Sequence, residues 1–212
     1  MDKDQTRADE FSNALTEYAP RYDVQLTADG IARLRAYYEQ VVAWNTRLHL
    51  VAPCSPAEFA TRHVLESLLA LAHLSNGVHV VDIGSGAGLP VIPCLIVRPD
   101  LRVSLIESSP KKAVFLREAL RRVGAHGPAQ VIAERFEKLT APEADYVTCR
   151  ALDRFTEMFT ELVEWSPRNS TLLFFGGDSL REQIEKAALV YEAIRIPESE
   201  RRFLFIIKRG GL

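Results

Sequence analysis

The sequence holds little cysteine, and what it holds is scattered. Cys54, Cys94 and Cys149 are the three present, so neither an even disulfide framework nor a C-x-x-C metal spacing is available. An excess of charge is missing too: 26 lysines and arginines stand against 28 aspartates and glutamates, for a formal net charge of -2. The bulk balance carries no basic footprint for nucleic acid, and any such surface has to be local. No apolar run approaches the ~20 residues that cross a bilayer. The opening "MDKDQTRADEF" is polar and acidic, unlike a secretory signal. Internal repeats and low-complexity stretches are lacking as well. The expectation is a reduced, cytoplasmic chain with no membrane span and no metal site, apolar enough to bury a core.

Two rhythms are present. Residues 7–74 read as helical: in "TADGIARLRAYYEQVVAWNTRLHL" the apolar residues Ile31, Leu34, Tyr38, Val41 and Val42 recur at helical spacing. A further helix opens with "SPAE", where Ser55 is the N-cap, Pro56 the first helical residue and Glu58 the closing partner of a capping box. It continues through Phe59, Val64, Leu68 and Leu71 to "SNG". From residue 78 short apolar runs alternate with helical patterns: "VHVVDI", "LRVSLIE", "AQVIAE", "DYVTCR", "TLLFF", "YEAIRI" and "RFLFIIK". Between the second and third lies a helix headed by Ser109 and Pro110 and ended by Gly124, with Ala113, Leu116, Leu120 and Val123 as its buried stripe. This alternation predicts an α/β fold, Rossmann-like, with a seven-stranded, mostly parallel sheet covered by helices on both faces and an N-terminal helical extension. The seam falls near Asn76–Gly77, dividing a helical region (1–77) from an α/β domain (78–212).

The run "VVDIGSGAGLP" concentrates the chemistry. Asp82 sits in a buried strand, and Gly84, Gly86 and Gly88 follow at the first strand-to-helix turn, where sheets of this kind bind ligands. Glycines there allow a sharp turn and a close approach of backbone to ligand; the plainer reading is a tight turn with no ligand. A dinucleotide site asks for G-x-G-x-x-G or A, but the third position is Leu89. The pattern present, D-x-G-x-G-x-G, resembles motif I of class I methyltransferases that use S-adenosylmethionine. Glu107, closing the second strand, is placed to accept both ribose hydroxyls. Both ligand classes use such an acid, so the missing glycine separates them and leaves an NAD-dependent oxidoreductase as a remote alternative.

Beyond motif I, "DIGSGAGLPVIPCLIVRPDLRVSLIESSPKKAVFLREA" resembles the bacterial small-subunit rRNA guanine-N7 methyltransferases, also called the glucose-inhibited division protein B family. "YYEQVVAWNTRLHLVAP", "RHVLESL", "ERFEKL" and "VTCRAL" are similar to further segments of that family and occur in the same order. The resemblance spans residues ~27 to ~208. It implies S-adenosylmethionine as cofactor and 16S rRNA, or a small ribosomal subunit particle, as partner, with the protein expected as a monomer. It further implies that Gly84, Gly86 and Leu89 line the amino-acid and ribose end of the cofactor, that Glu107 holds the ribose, and that Phe136 and Glu137 flank the adenine. Arg150 would sit beside the methionine portion or the incoming base.

Guanine N7 carries a lone pair and no proton, so its methylation needs orientation rather than a general base, and no catalytic residue is assigned. The (Asp/Asn)-Pro-Pro-(Tyr/Phe) element that aligns exocyclic amines is missing, with "DYVTCRAL" in its place. Cys149 could be a nucleophile of the kind used in pyrimidine C5 methylation, but a small spacer fits better. Asn45 and His63 could orient groups near the site or be satisfied within their helices. For RNA the best candidates are Lys111 and Lys112, on the helix that also carries Arg117, Arg121 and Arg122; Lys208 and Arg209 are weaker, and a solvated helix face is the plainer reading. Three departures from the family stand out: Val91 replaces a glycine, Glu66 an aspartate, and Gly176 a lysine after the fifth strand, which Lys208 or another cation would have to replace. Alternatives are a methyltransferase for another RNA or a small molecule, and a cofactor-binding protein of this fold without catalysis.

Overall fold

Each apolar run after residue 78 is a strand in the computed structural model, which describes residues 3–125, 128–150 and 155–209. The strands are β1 (His79–Ile83), β2 (Arg102–Ile106), β3 (Ala129–Ile132), β4 (Tyr146–Arg150), β5 (Thr171–Gly176), β6 (Tyr191–Arg195) and β7 (Phe203–Lys208). They form one sheet in the order β3-β2-β1-β4-β5-β7-β6. Strands β1 to β5 pair in parallel, whereas β7 runs antiparallel between β5 and β6. The strand order reverses between β1 and β4, the kind of switch point at which open α/β sheets leave a crevice. Ala151 and Leu152 of the "VTCRAL" segment lie outside the described residues.

The helices obey the signals at their ends. After α1 (Lys3–Tyr18) and a short 3-10 turn comes α2 (Ala28–Leu48), whose cap Thr27 accepts a hydrogen bond from the Gly30 amide at 3.0 Å. Ser55 likewise caps α3 (Pro56–Glu58), accepting from the Glu58 amide at 3.1 Å. The Glu58 carboxylate turns to Arg62 instead of back to the cap, so the box is half made. The helix that follows is not uniform: Phe59–Leu65 is π-helical, then come α4 (Glu66–Leu68) and a 3-10 stretch, Leu69–His73. Helices α5 (Val91–Val97), α6 (Pro110–Arg122), α7 (Phe155–Trp165) and α8 (Asp178–Lys186) complete the set.

Alternation along the strands sorts the core into two halves. Leu173, Phe175, Leu204 and Ile206 face a cluster that includes Phe115 and Leu116 of α6 and also Phe11, Leu34, Tyr37 and Leu65 of the N-terminal helices. Leu172, Phe174, Phe205 and Ile207 face the other way, against Phe159 and Leu162 of α7 and Leu180 and Ile184 of α8. The expected stripe of α6 is buried as read, with Phe115 and Ala119 added to it. The N-terminal helices thus share one apolar core with a face of the sheet.

Asp82 is the polar exception inside β1. It is fully buried; its Oδ1 accepts from the Thr148 hydroxyl at 2.7 Å, while Oδ2 meets no hydrogen-bond donor among the described residues. Burial pushes its carboxyl up to about 7. A folded-state value above the unfolded one gives stability that is full at low pH and is lost as pH rises through the folded value. Wild-type protein should therefore lose stability by about 1.4 kcal/mol per pH unit from this group as pH rises from about 4 to about 7, with no further loss from it at higher pH. Asp82→Asn keeps the acceptor for Thr148 and should remove that part of the slope. Thermal melts of both proteins from pH 5 to 9 check it, and parallel curves would exclude Asp82 as the source.

Candidate functional site at the carboxyl ends of the strands

A cavity of about 970 Å³ opens over the carboxyl ends of β1, β2, β4 and β5, at the top of the ~300–1,000 Å³ range of small-molecule sites. Its floor is made by the turn after β1. Gly84 and Ser85 donate their amides to the Ile106 carbonyl at 2.9 and 3.2 Å, tying the turn to β2. Gly84, Gly86 and Gly88 all have positive φ, at 67°, 52° and 86°. Their reasons differ. Gly84 and Gly86 line the cavity, and a Cβ at Gly86 would meet only the Gly84 carbonyl, at 3.7 Å. At Gly88 a Cβ would fall 2.4 Å from Ile92 Cδ1, so this glycine serves the packing of the turn on α5. The Tyr37 hydroxyl, buried on α2, donates to the Ala87 carbonyl at 2.6 Å and fixes the turn from the other side.

Glu107 stands where β2 ends. Its Oε2 accepts from the Gly86 amide at 2.8 Å and its Oε1 from the Ser109 amide at 2.7 Å, so one carboxylate joins the glycine turn to the start of α6. Each oxygen keeps a second lone pair for a ligand, and the side chain lines the cavity. Leu89, Phe136 and Glu137 line the same end. Phe136, almost wholly buried, packs edge-on against Trp165 at 5.5 Å and borders the cavity with a small part of its ring. Glu137 is held by Arg135 at 2.9 Å.

The other end of the cavity is built from residues far apart in sequence. Arg150, at the end of β4, donates to the Ser67 hydroxyl at 3.1 Å, to Glu66 Oε2 at 3.0 Å, and to the carbonyls of Arg62 and His63. Those carbonyls belong to the π-helical stretch, where a wider turn lets a foreign side chain reach the backbone. Glu66 is almost completely buried and pairs with Arg202, the residue before β7, at 2.9 Å. His63 lines the cavity; burial, and then Arg150 and Arg62, push its imidazole down to about 4, so it is neutral at physiological pH. The loop His49–Ala52 closes this side, and Asn45 holds the loop by exchanging hydrogen bonds of 3.0 Å with Val51. Asn45 is thus satisfied locally.

The structure brings Gly84, Gly86, Leu89, Glu107, Phe136, Glu137, Arg150 and Lys112 to one cavity. Lys111 is exposed beside it, and neither lysine makes an ion pair among the described residues. The rest of the basic helix is engaged: Arg117 donates to the Val131 carbonyl, Arg121 pairs with Glu118, and Arg122 with Glu39. Cys149 is buried against α7 and is not among the cavity residues, which makes it a core residue and not a nucleophile in this site. Lys208 is a correction. It pairs with Thr171 at the amino end of β5, whereas Gly176, at the carboxyl end, pairs with Phe203. Five residues of strand, roughly 17 Å, separate Lys208 from the mouth, so it cannot replace a cation at Gly176. A side chain at Gly176 is itself obstructed, because its Cβ would lie 2.6 Å from Leu180 Cδ2. Arg62, Arg202 and the His49–Ala52 loop are among the cavity residues to which sequence reading gave no role, and Glu66 was read only as a departure from the family.

Comparison with known proteins points one way. Residues 30–202 match the family model of GidB, rRNA small subunit methyltransferase G. A protein from Xanthomonas campestris pv. campestris (strain B100), "Ribosomal RNA small subunit methyltransferase G", is 46% identical over 129 residues, 60% of this chain and 60% of that protein. A protein of the same name from Nitrosomonas eutropha is 38% identical over 63% of each chain. The matched stretch thus spans about 60% of the length of these relatives. Among solved structures, a SAM-dependent methyltransferase from Aquifex aeolicus superposes with a TM-score of 0.57 at 15% identity, covering 72% of this chain and 93% of the other. That likeness establishes the Rossmann-like methyltransferase fold.

The two kinds of glycine can be told apart. Gly88→Ala and Gly77→Ala both force alanine into positive φ (86° and 66°), but only position 88 lacks room for a Cβ. Both should lose the ~1–2 kcal/mol of a left-handed residue, and Gly88→Ala a further ~1–3 kcal/mol for overpacking. Chemical denaturation of the two variants measures the difference, and equal losses would show that close packing is not why position 88 is glycine.

Proposed function

The chain belongs to the rRNA small subunit methyltransferase G family, and from that premise we propose that it methylates N7 of a guanine in 16S rRNA, using S-adenosylmethionine. S-adenosylmethionine, when bound, supplies an electrophilic methyl group on a sulfonium. The observation that carries the reading is Glu107: a buried carboxylate clamped between the glycine turn and α6, with acceptor capacity left on both oxygens, at the edge of a cavity with room for a nucleoside. Those two oxygens suit a pair of ribose hydroxyls. Phe136, with Met158 nearby, offers a flat apolar wall for adenine, and Glu137 a polar edge. Gly84 and Gly86 leave open the space a methionine chain requires, and the fit of the site to this cofactor rests on that space. Leu89 and Arg150 bound the same region, Arg150 immobilised by its four acceptors.

The remaining work is alignment of guanine N7 with the methyl group, since N7 has no proton to give up. His63, neutral and half-buried, is not needed as a base. Lys111 and Lys112, at the mouth, are proposed to meet RNA phosphates. In this reading residues 78–212 hold the cofactor, residues 1–77 supply the wall carrying His49–Ala52, Arg62 and Glu66, and the protein works as a monomer in the cytoplasm, on rRNA or a small-subunit particle.

Purified protein should bind S-adenosylmethionine and not NADH in calorimetry, and should transfer labelled methyl to small ribosomal subunits lacking the modification, at a guanine located by mass mapping. Cofactor binding without any transfer would favour a non-catalytic binding protein instead. Glu107→Ala removes the ribose acceptors and the clamp on Gly86, and should weaken cofactor binding by about 1–3 kcal/mol; unchanged affinity would remove Glu107 from the site. Replacing Lys111 and Lys112 together with alanine should lower the log–log salt slope of RNA binding by about two at most, with cofactor affinity near wild type. An unmoved slope would leave that helix face as solvated surface.

A further inference from the structure

Charge is unevenly spread in the cavity. Glu107, Glu134 and Glu137 line one end together with Lys112 and Arg135; Arg62, Arg150 and Arg202 line the other, with Glu66 as their acid. With Arg62 paired to Glu58, Arg150 and Arg202 around the single carboxylate of Glu66 leave a surplus of one positive charge in a recess, where surrounding protein concentrates the field. The three are not equivalent. Arg150 has both terminal nitrogens engaged with protein acceptors. Arg62 is paired with Glu58 at the surface.

Arg202 is the one with capacity left. Its Nε donates to the Ser199 hydroxyl at 3.1 Å. Its Nη2 stands 2.9 Å from Glu66 Oε1, yet that oxygen has no aligned hydrogen bond, so the contact is Coulombic and not a fork on a carboxylate. About a third of the side chain is exposed (32%). The backbone delivers it to the mouth. Phe203 pairs with Gly176 at the carboxyl end of β5, and a Cβ on Gly177 would come within 2.9 Å of the Arg201 carbonyl. Gly177 therefore lets the segment leading into β7 close onto the cavity rim.

We propose that Arg202, supported by Arg62 and held in reserve by Glu66, is an oxyanion site at the basic end of the cavity, and that it takes a phosphodiester of the RNA substrate. Nη1 has no partner among the described residues, and once Nη2 leaves Glu66 the two present the planar edge that matches phosphate in two-bond geometry. The proposal rests on the RNA reading above, because a carboxylate, such as that of the cofactor's methionine, has the same recognition chemistry. Glu66 competes with the phosphate for Arg202, and this gives the site a sign that a structural ion pair lacks.

The test uses the full chain with a 16S rRNA transcript, titrated over a range of KCl, alongside calorimetry with S-adenosylmethionine and single-turnover methyl transfer to small subunits. Arg202→Gln should weaken RNA binding roughly tenfold and lower the log–log salt slope by about one. Glu66→Gln, which keeps an acceptor for Arg150 but frees Arg202, should strengthen RNA binding and steepen the slope. Arg202→Lys retains a cation beside Glu66 and should fall between Arg202→Gln and wild type, which covers the case of a poorly folded glutamine variant. Cofactor affinity should stay within about twofold in all three. A loss of cofactor affinity with an intact RNA slope assigns the arginine to the methionine carboxylate and overturns the proposal. Weakened RNA binding in both Arg202→Gln and Glu66→Gln, with lowered melting temperatures, marks a structural ion pair and overturns it equally. Slope changes in the variants, with wild-type protein that methylates no rRNA, would defeat the functional reading and leave the anion site standing; normal methylation by wild type with unmoved slopes in the variants would do the reverse.

Discussion

One carboxylate bridging two backbone amides organises this molecule. Glu107 accepts from Gly86 on one side and Ser109 on the other, and so sets the distance between the turn after β1 and the start of α6. Charge-assisted bonds of this kind are short and directional, and inside a cleft they are worth more than in water. The left-handed backbone at Gly84, Gly86 and Gly88, costly to any other residue, is sustained by that anchor together with the Ile106 carbonyl beneath and the Tyr37 hydroxyl behind. Without the anchor the turn has fewer reasons to stay folded over the strand ends, and the cavity loses its floor.

The opposite wall follows another logic, in which a helix is deformed to receive a side chain. Phe59–Leu65 widens into a π-helix, and Arg150 places its guanidinium on the carbonyls of Arg62 and His63. Glu66, one turn on, is carried into the interior, where only arginines make its burial tolerable. The N-terminal helices are consequently part of the site and not an appendage to it. They share a core with one face of the sheet and donate one wall of the cavity.

Much of this was legible in the sequence, for physical reasons that also explain what was not. Seven strands could be read because each is a short apolar run between breakers, and Glu107 and the glycines because a ligand turn needs them at fixed offsets from a strand. Leu89 in place of a third glycine argued for a methyltransferase over a dinucleotide enzyme, and family and fold agree with a methyltransferase. The Glu66–Arg150–Arg202 group was invisible, because an ion pair between positions so far apart has no spacing signature. The uniform helix read after Ser55 missed the π-helical segment for a related reason: Arg150, which bonds its carbonyls, lies on a distant strand. Lys208 was misplaced because alternation predicts that a strand exists but not its direction. Reversal of β7 puts its last residue at the far edge and its first at the cleft.

That reversal has a consequence for the order in which the chain is made. Strand β6 touches the sheet only through β7, and β7 is the later of the two to be synthesised. While the ribosome is still translating the turn between them, β6 has no hydrogen-bonding neighbour, and the edge of β5 is bare. The insertion of β7 closes both gaps in one step and brings Arg202 to Glu66 in the same movement. A nascent chain can thus complete its glycine turn early, but the basic wall of the cavity is finished only when the sheet is, and so matures last.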